Sequence, residues 1–218
     1  MQTCSKSRGE FLMQIQYTLE ELEGFDRTWT DRFALQSGWE AHDLSDPVDD
    51  LELFFTHLSG TNILDVGCGW GRYVLRFSER HLGYLGIDNS LEMLKVARTT
   101  NPALLFIQGS FRFLPFAGEQ FDGLWNCCTL GAIPKANLVD ILEEHHRVLK
   151  AGGIMMIIMP APPFSEEVLY LDDEDTPEIY QAHYHLDEFE EYVKKAGFTI
   201  VDSGYRIKEG SMFVLVRK

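Results

Sequence analysis

The sequence predicts an open, doubly wound α/β sheet, and three observations carry that prediction. Five short apolar runs alternate with amphipathic segments through the middle of the chain. The runs are continuously apolar, as parallel strands covered on both faces must be. The first of them breaks into glycines at every second position, "NILDVGCGWGRY" (62–73), before a helical pattern begins. Strand–helix alternation of this kind means right-handed crossovers on one open sheet.

Each element can be justified in order. Residues 1–9 are polar; from Phe11, the apolar Ile15, Leu19 and Leu22 step at helical spacing with Glu20, Glu21 and Glu23 between them. "FDRTWTDRF" (25–33) is aromatic without a clear period. "SDPVDDLELFFTHL" starts a helix, with Asp46 as N-cap, Pro47 at the first position and Val48, Leu51, Phe54, Phe55 and Leu58 as its buried face. Strands follow over 62–66, 84–88, 104–108, 121–127 and 153–159, with helices over 72–80, 91–99 and 136–150. The "AGG" after Lys150 is a helix stop.

The last third changes character. A proline-rich exit, "PAPPFSEE", leads to two extended aromatic pieces around the acidic turn of "LYLDDEDTPEIYQAHYH". "LDEFEEYVKKAGF" is a helix with Asp187 as N-cap, Glu190 three residues on and Gly197 as its stop. "TIVDSGYRIK" and "SMFVLVRK" close the chain as a hairpin around Glu209 and Gly210. One domain is the simplest organisation.

Bulk properties narrow the function. The 218 residues are 45% hydrophobic and carry 19 Lys plus Arg against 34 Asp plus Glu, a formal charge of −15. No basic run offsets it, which disfavours nucleic acid and an anionic membrane surface as partners. Cys4, Cys68, Cys127 and Cys128 show no CxxC or Cys/His ligand spacing, so no metal site or disulfide framework is expected. With no apolar signal core and no window near the ~20 apolar residues of a membrane span, a soluble, cytoplasmic chain is expected.

The glycine turn points to a ligand. It ends the first sheet strand and leads into a helix, where open α/β sheets bind ligands. Asp88 ends the next strand, where a carboxylate can accept both hydroxyls of an adenosine ribose. The alternative is a tight turn with Asp88 capping a helix. A dinucleotide site would show GxGxxG beneath a pyrophosphate; here the spacing is GxGxG, and Asp65 precedes it. A pyrophosphate gains nothing from that carboxylate, whereas a cationic amino group or sulfonium does. The charge favours S-adenosylmethionine over NAD.

"ILDVGCGWGRY", "YLGIDNS", "LFIQGSFRFLPFAGEQFDGLWN" and "ILEEHHRVLKAGG" resemble, in order and spacing, the class I S-adenosylmethionine-dependent methyltransferases over roughly 48–218. "FDGLWNCCTLGAIP" and "HYHLDEFEEYVKKAGF" are similar to small free-standing members acting on small molecules. The resemblance implies a Rossmann-like, seven-stranded, mostly parallel sheet with an antiparallel last strand. It implies a cofactor-binding domain over 46–218, with S-adenosyl-L-methionine as cofactor; the aromatic content of the N-terminal helical segment over 1–45 and of 160–185 suggests that these two form a lid. Gly67, Cys68 and Gly69 would line its methionine part, with Asp65 orienting the ammonium, and Gly71 would belong to the same cofactor site. Asp88 would hold the ribose, Asn89 or Ser90 would lie beside the adenine, and Ser110 stands where the family often has Asp. The Phe111 N–H could serve the adenine instead, and Asn126 would face the methionine or the acceptor.

No catalytic group is assigned. His183, His185 and Asn126 are the candidates, since a histidine near neutral pKa can take a proton from an acceptor hydroxyl or amine. Core packing is expected for at least two of Trp125, Cys127 and Cys128, because no cationic neighbour is evident to activate a thiol. His145 and His146 are expected at the surface or as caps. Tyr17, Phe25, Trp29, Phe111, Phe113 and Tyr170 are aromatic candidates to roof a sulfonium. The expected reaction is in-line methyl transfer to a small-molecule acceptor. A non-catalytic cofactor-binding partner protein, a nicotinamide oxidoreductase, and an RNA or protein methyltransferase are the rivals.

Overall fold

The computed structural model describes residues 18–35, 48–161, 163–171, 177–208 and 210–218. The chain runs through α1 (Leu19–Leu35), α2 (Val48–His57), β1 (Asn62–Val66), α3 (Val74–Ser78), β2 (Gly83–Asp88), α4 (Leu91–Thr100) and β3 (Leu105–Gln108). It continues with β4 (Phe121–Cys127), α5 (Leu138–Val148), β5 (Leu149–Pro160), β6 (Glu167–Leu171), β7 (Pro177–Ala182), α6 (Leu186–Lys195), β8 (Thr199–Arg206) and β9 (Ser211–Arg217).

Seven strands form one sheet in the order β3-β2-β1-β4-β5-β9-β8, and β6 pairs with β7 in a separate hairpin. The pairs from β3 through β5 are parallel, while β9 is antiparallel to both its neighbours. Successive side chains on a strand face opposite ways, so Ile63 and Trp125 enter one core layer with Phe54 and Phe77, and Leu64 and Leu124 enter the other with Leu142 and Phe189. Trp125 meets Phe54, Tyr73 and Phe77 edge to face at centroid separations of 5.3–6.0 Å. The reversal of strand order falls between β1 and β4, beside the glycine turn.

Several expectations need correction. Helix α1 continues through 25–33, where the sequence shows no period. It packs on both α4 and β7, so no single stripe marks it. A reciprocal capping box starts it: Thr18 N donates to Glu21 Oε2 at 2.7 Å and Glu21 N to Thr18 Oγ1 at 3.3 Å. Phe11, Ile15, Asp46 and Pro47 lie outside the described residues. Helix α5 ends at Val148, not Lys150, because Leu149 already pairs with Phe121 across a β-bulge. Asp187 is not the N-cap of α6; His185 holds that position and Leu186 N donates to Tyr205 Oη at 3.0 Å. Glu190 instead accepts from Ser203 Oγ.

His145 is not a surface residue: it is fully buried on α5, and its Nε2 lies 3.1 Å from the Phe111 carbonyl. Burial pushes its imidazole down to about 4, so it stands neutral. His146 is half-buried and packs edge to face on Phe198. No described helix is long and apolar enough to cross a membrane.

Candidate functional site

The glycine turn is fastened to the end of β2. Gly67 N and Cys68 N both donate to the Ile87 carbonyl, at 2.8 and 3.1 Å, and Gly69 N donates to Asp88 Oδ2 at 2.8 Å. Gly67 has φ +74° and Gly69 φ +52°, the left-handed region that glycine enters without a Cβ penalty. A Cβ on Gly67 would fall 2.0 Å from Thr129 Oγ1, whereas one on Gly69 would meet nothing within 4 Å. The first glycine is required by its neighbours; the second leaves an open cradle.

Asp88 also accepts from Ser90 N at 2.8 Å through Oδ1. Each oxygen thus keeps a lone pair for a further donor. Burial raises its carboxyl above the ordinary range, against the pull of these N–H donors. Ser90, not Asp88, caps α4: its hydroxyl accepts from Met93 N at 3.1 Å and donates to Asp31 of α1 at 2.5 Å.

Above the turn opens a cavity of ≈ 630 Å³. Gly67, Cys68, Gly69, Asp88, Asn89 and Phe111 line it, all candidates from the sequence. Asp65, Gly71, Ser90, Ser110, Asn126, His183 and His185 do not. Asp65 is 1% exposed and turned to Tyr84, whose hydroxyl donates to Oδ2 at 2.7 Å. Burial pushes its carboxyl up to about 7, opposed by the Tyr84 bond and aided by the charge of Asp88. Gly71 is closed in by Val74 and Phe106, and Ser110 Oγ accepts from Arg112 N at 3.0 Å. Asn126 is fully buried, and its amide has no hydrogen-bond partner among the described residues.

His183 is buried just behind the wall, with Nε2 3.4 Å from the hydroxyl of Tyr170, which does line the cavity. Burial, with help from the Lys135 charge, lowers its imidazole. His185 is exposed at the start of α6. Phe113 is 73% exposed and faces a different groove, and Tyr17 and the side chains of Phe25 and Trp29 lie outside the described residues.

The other wall was not foreseen. Asp26 and Thr30 of α1, Ile179 and Gln181 of β7, and Arg72 and Thr129 all reach the cavity. Trp125 is fully buried and Cys127 packs against the aromatic core layer, as expected; Cys128 is exposed. The cationic neighbour absent from the sequence pattern is Arg72, whose charge helps lower the Cys128 thiol.

The residues present fit an adenosine-bearing cofactor. The cradle at Gly69 is open, Asp88 retains acceptor capacity beside it, and Asn89 Nδ2 is a buried donor with no partner among the described residues. A methyltransferase-domain family model matches residues 63–153. The chain is 30% identical over 190 residues to the 2-phytyl-1,4-naphtoquinone methyltransferase of Nostoc punctiforme, spanning 72% of this chain and 80% of that one. It is 32% identical over 107 residues to the malonyl-[acyl-carrier protein] O-methyltransferase of Salmonella typhimurium, spanning 49% of this chain and 42% of that one. The crystal structure of the Burkholderia thailandensis 1,6-didemethyltoxoflavin-N1-methyltransferase, with 1,6-didemethyltoxoflavin and S-adenosylhomocysteine bound, superposes with TM-score 0.78 at 20% identity. It spans 95% of this chain and 93% of that one.

The chain belongs to the class I S-adenosylmethionine-dependent methyltransferases. S-adenosyl-L-methionine is accordingly its cofactor. The chain spans about half the length of the first curated relatives it matches, 47%, 55% and 42%.

Proposed function

We propose that this chain transfers the methyl group of S-adenosylmethionine to a small-molecule acceptor by in-line displacement. The observation that carries the reading is one cavity that brings the backbone cradle of Gly67 and Gly69, with Asp88 and Asn89, together with Cys128, Tyr170 and Gln181 from other segments. The bound cofactor supplies an electrophilic methyl on a sulfonium. The chain's own contribution is to hold the nucleoside and aim an acceptor, and such positioning supplies roughly 7–11 kcal/mol.

In this reading Asp88 accepts the ribose hydroxyls and Asn89 donates toward the nucleoside. Asp65 stays out of the cavity, its carboxyl engaged by the Tyr84 hydroxyl, and takes no part in holding the cofactor in this reading. Helix α1, through Asp26 and Thr30, and the β6–β7 hairpin, through Tyr170, Ile179 and Gln181, complete the cavity wall. The −15 charge and the relatives named for quinone and acyl-carrier acceptors support a small or carrier-bound acceptor over RNA.

The test uses cofactor labelled with tritium in the methyl group and three acceptor pools: a small-molecule extract, total RNA and total protein. Label passing to the extract supports the reading. Label in RNA or protein redirects it, and cofactor binding without transfer to any pool identifies a binding protein. Tighter calorimetric binding of NAD than of S-adenosylmethionine would overturn the cofactor assignment itself.

A further inference from the structure

Cys127, the last residue of β4, and Cys128 just beyond it both line the cavity. Their sulfurs lie 3.8 Å apart, with Cys127 S–H donating to Cys128, and Tyr73 Oη donates to Cys127 Sγ at 3.2 Å. Adjacent residues on a strand project to opposite faces, so two neighbouring thiols do not meet by default. Here they converge because Cys128 has left the strand with φ +60°, a conformation that costs a side-chain-bearing residue about 1–2 kcal/mol.

From this geometry we propose that Cys127 and Cys128 form a two-thiol clamp for a soft, trivalent metalloid centre carrying one organic substituent. A three-coordinate metalloid is pyramidal, so closing the chelate draws the two sulfurs slightly closer than their present 3.8 Å. The thiols already converge on one site, and a small side-chain rotation completes the clamp.

The substituent count follows from what surrounds the pair. No group of three or more His, Cys, Asp or Glu side chains able to hold a metal exists among the described residues. A bare ion seeking three or four protein ligands is not served. A centre with one bond already made and two open is. The Cys128 thiol is lowered by its bond from Cys127 and by Arg72, while Cys127 is raised, so one thiolate attacks and the second thiol follows.

With phenylarsine oxide as probe the step balances. Two As–S bonds form, the As–O bond breaks, both thiol protons leave with the oxygen as one water, and arsenic stays trivalent. The clamp shares the cavity with the proposed cofactor seat, and it adds to that reading the class of ligand the cavity takes beside that seat.

The test is native mass spectrometry of the full chain carrying Cys4→Ser, since Cys4 lies outside the described residues. The expected result is one phenylarsine adduct per chain, formed with loss of one water. It should survive excess 2-mercaptoethanol and be removed by dithiothreitol. Cys128→Ser and Cys127→Ser should each weaken it roughly 100-fold or more, the gain expected from linking two contacts. Retention of a monothiol-resistant adduct by the Cys128→Ser chain overturns the proposal, as does its absence from the Cys4→Ser chain. Cys128 is exposed, so its variant tests the clamp even if Cys127→Ser fails to fold. Titration with S-adenosylhomocysteine on the same samples reports the cofactor seat separately, so either reading can fail alone.

Discussion

The backbone N–H of Gly69 donates to the side chain of Asp88 at 2.8 Å, tying the glycine turn to the tip of the neighbouring strand. In the proposed function the acid has two tasks, shaping the cradle and receiving a ribose. Asp88→Ala should remove both. Charged hydrogen bonds contribute about 1.5–3 kcal/mol each, so S-adenosylhomocysteine affinity should fall roughly 10- to 150-fold by calorimetry, while Asp88→Asn should lose less. Unchanged affinity in the alanine variant would show that the ribose sits elsewhere.

Gly67 and Gly69 make a sharper pair. Gly67→Ala should lower the melting temperature strongly, because its methyl would lie 2.0 Å from Thr129 Oγ1 at a φ of +74°. Gly69→Ala has empty space before it and carries only left-handed strain of about 1–2 kcal/mol. It should cost little stability but block cofactor entry. Thermal melts with and without S-adenosylhomocysteine separate the two.

Two buried groups should shape the pH dependence of stability in opposite senses. Asp65 is raised from 3.8 to about 7, so across that window the folded chain keeps a proton that the unfolded chain has lost. Its contribution falls as pH rises and levels off above the window. His145 is lowered from 6.5 to about 4, so there the unfolded chain takes a proton that the folded chain refuses. Stability drops as pH falls through that window. At 1.36 kcal/mol per unit the effects are on the order of 4 kcal/mol for Asp65 and about 3 kcal/mol for His145. Urea titrations across pH should show Asp65→Asn relieving the decline toward neutrality and His145→Gln relieving the acid one.

Lys135 ties the hairpin region to α6, beside the packing of β7 on α1. Lys135 Nζ sits 2.7 Å from Glu188 Oε1 on α6 and bonds Ser165, while its backbone N–H donates to Glu167 Oε1 on β6 at 2.9 Å. Lys135→Met should cost about 1–2 kcal/mol, reduced from a fully buried pair because Glu188 is partly exposed. Hydrogen exchange should accelerate over β6 and β7 before the main sheet. Uniform acceleration would deny the hairpin its own anchor.

What the sequence disclosed follows from period and punctuation. The central strands were legible because apolar runs such as "NILDV" and "FDGLWNC" end at glycine or a polar turn residue. The cavity floor was legible because Gly67, Gly69, Asp88 and Asn89 lie within one strand–turn–helix–strand passage. Of the wall, Tyr170 stands out in the sequence as an aromatic candidate, but Asp26, Arg72 and Gln181 do not, because only the fold brings them together. His145 misled for a related reason. A histidine pair on a helix looks solvated until the Phe111 carbonyl that receives it is known. The helical run of 25–33 hid because α1 serves two neighbours at once, although Thr18 and Glu21 already spelled its start.

Helix α1 rests on α4 through the Asp31–Ser90 bond and on β7 along its length. A beam seated on two supports does not swing like a door. Asp26 and Thr30 of that helix line the cavity, so a change at the serine cap or in the hairpin, far apart in the chain, reaches the same wall through the helix between them.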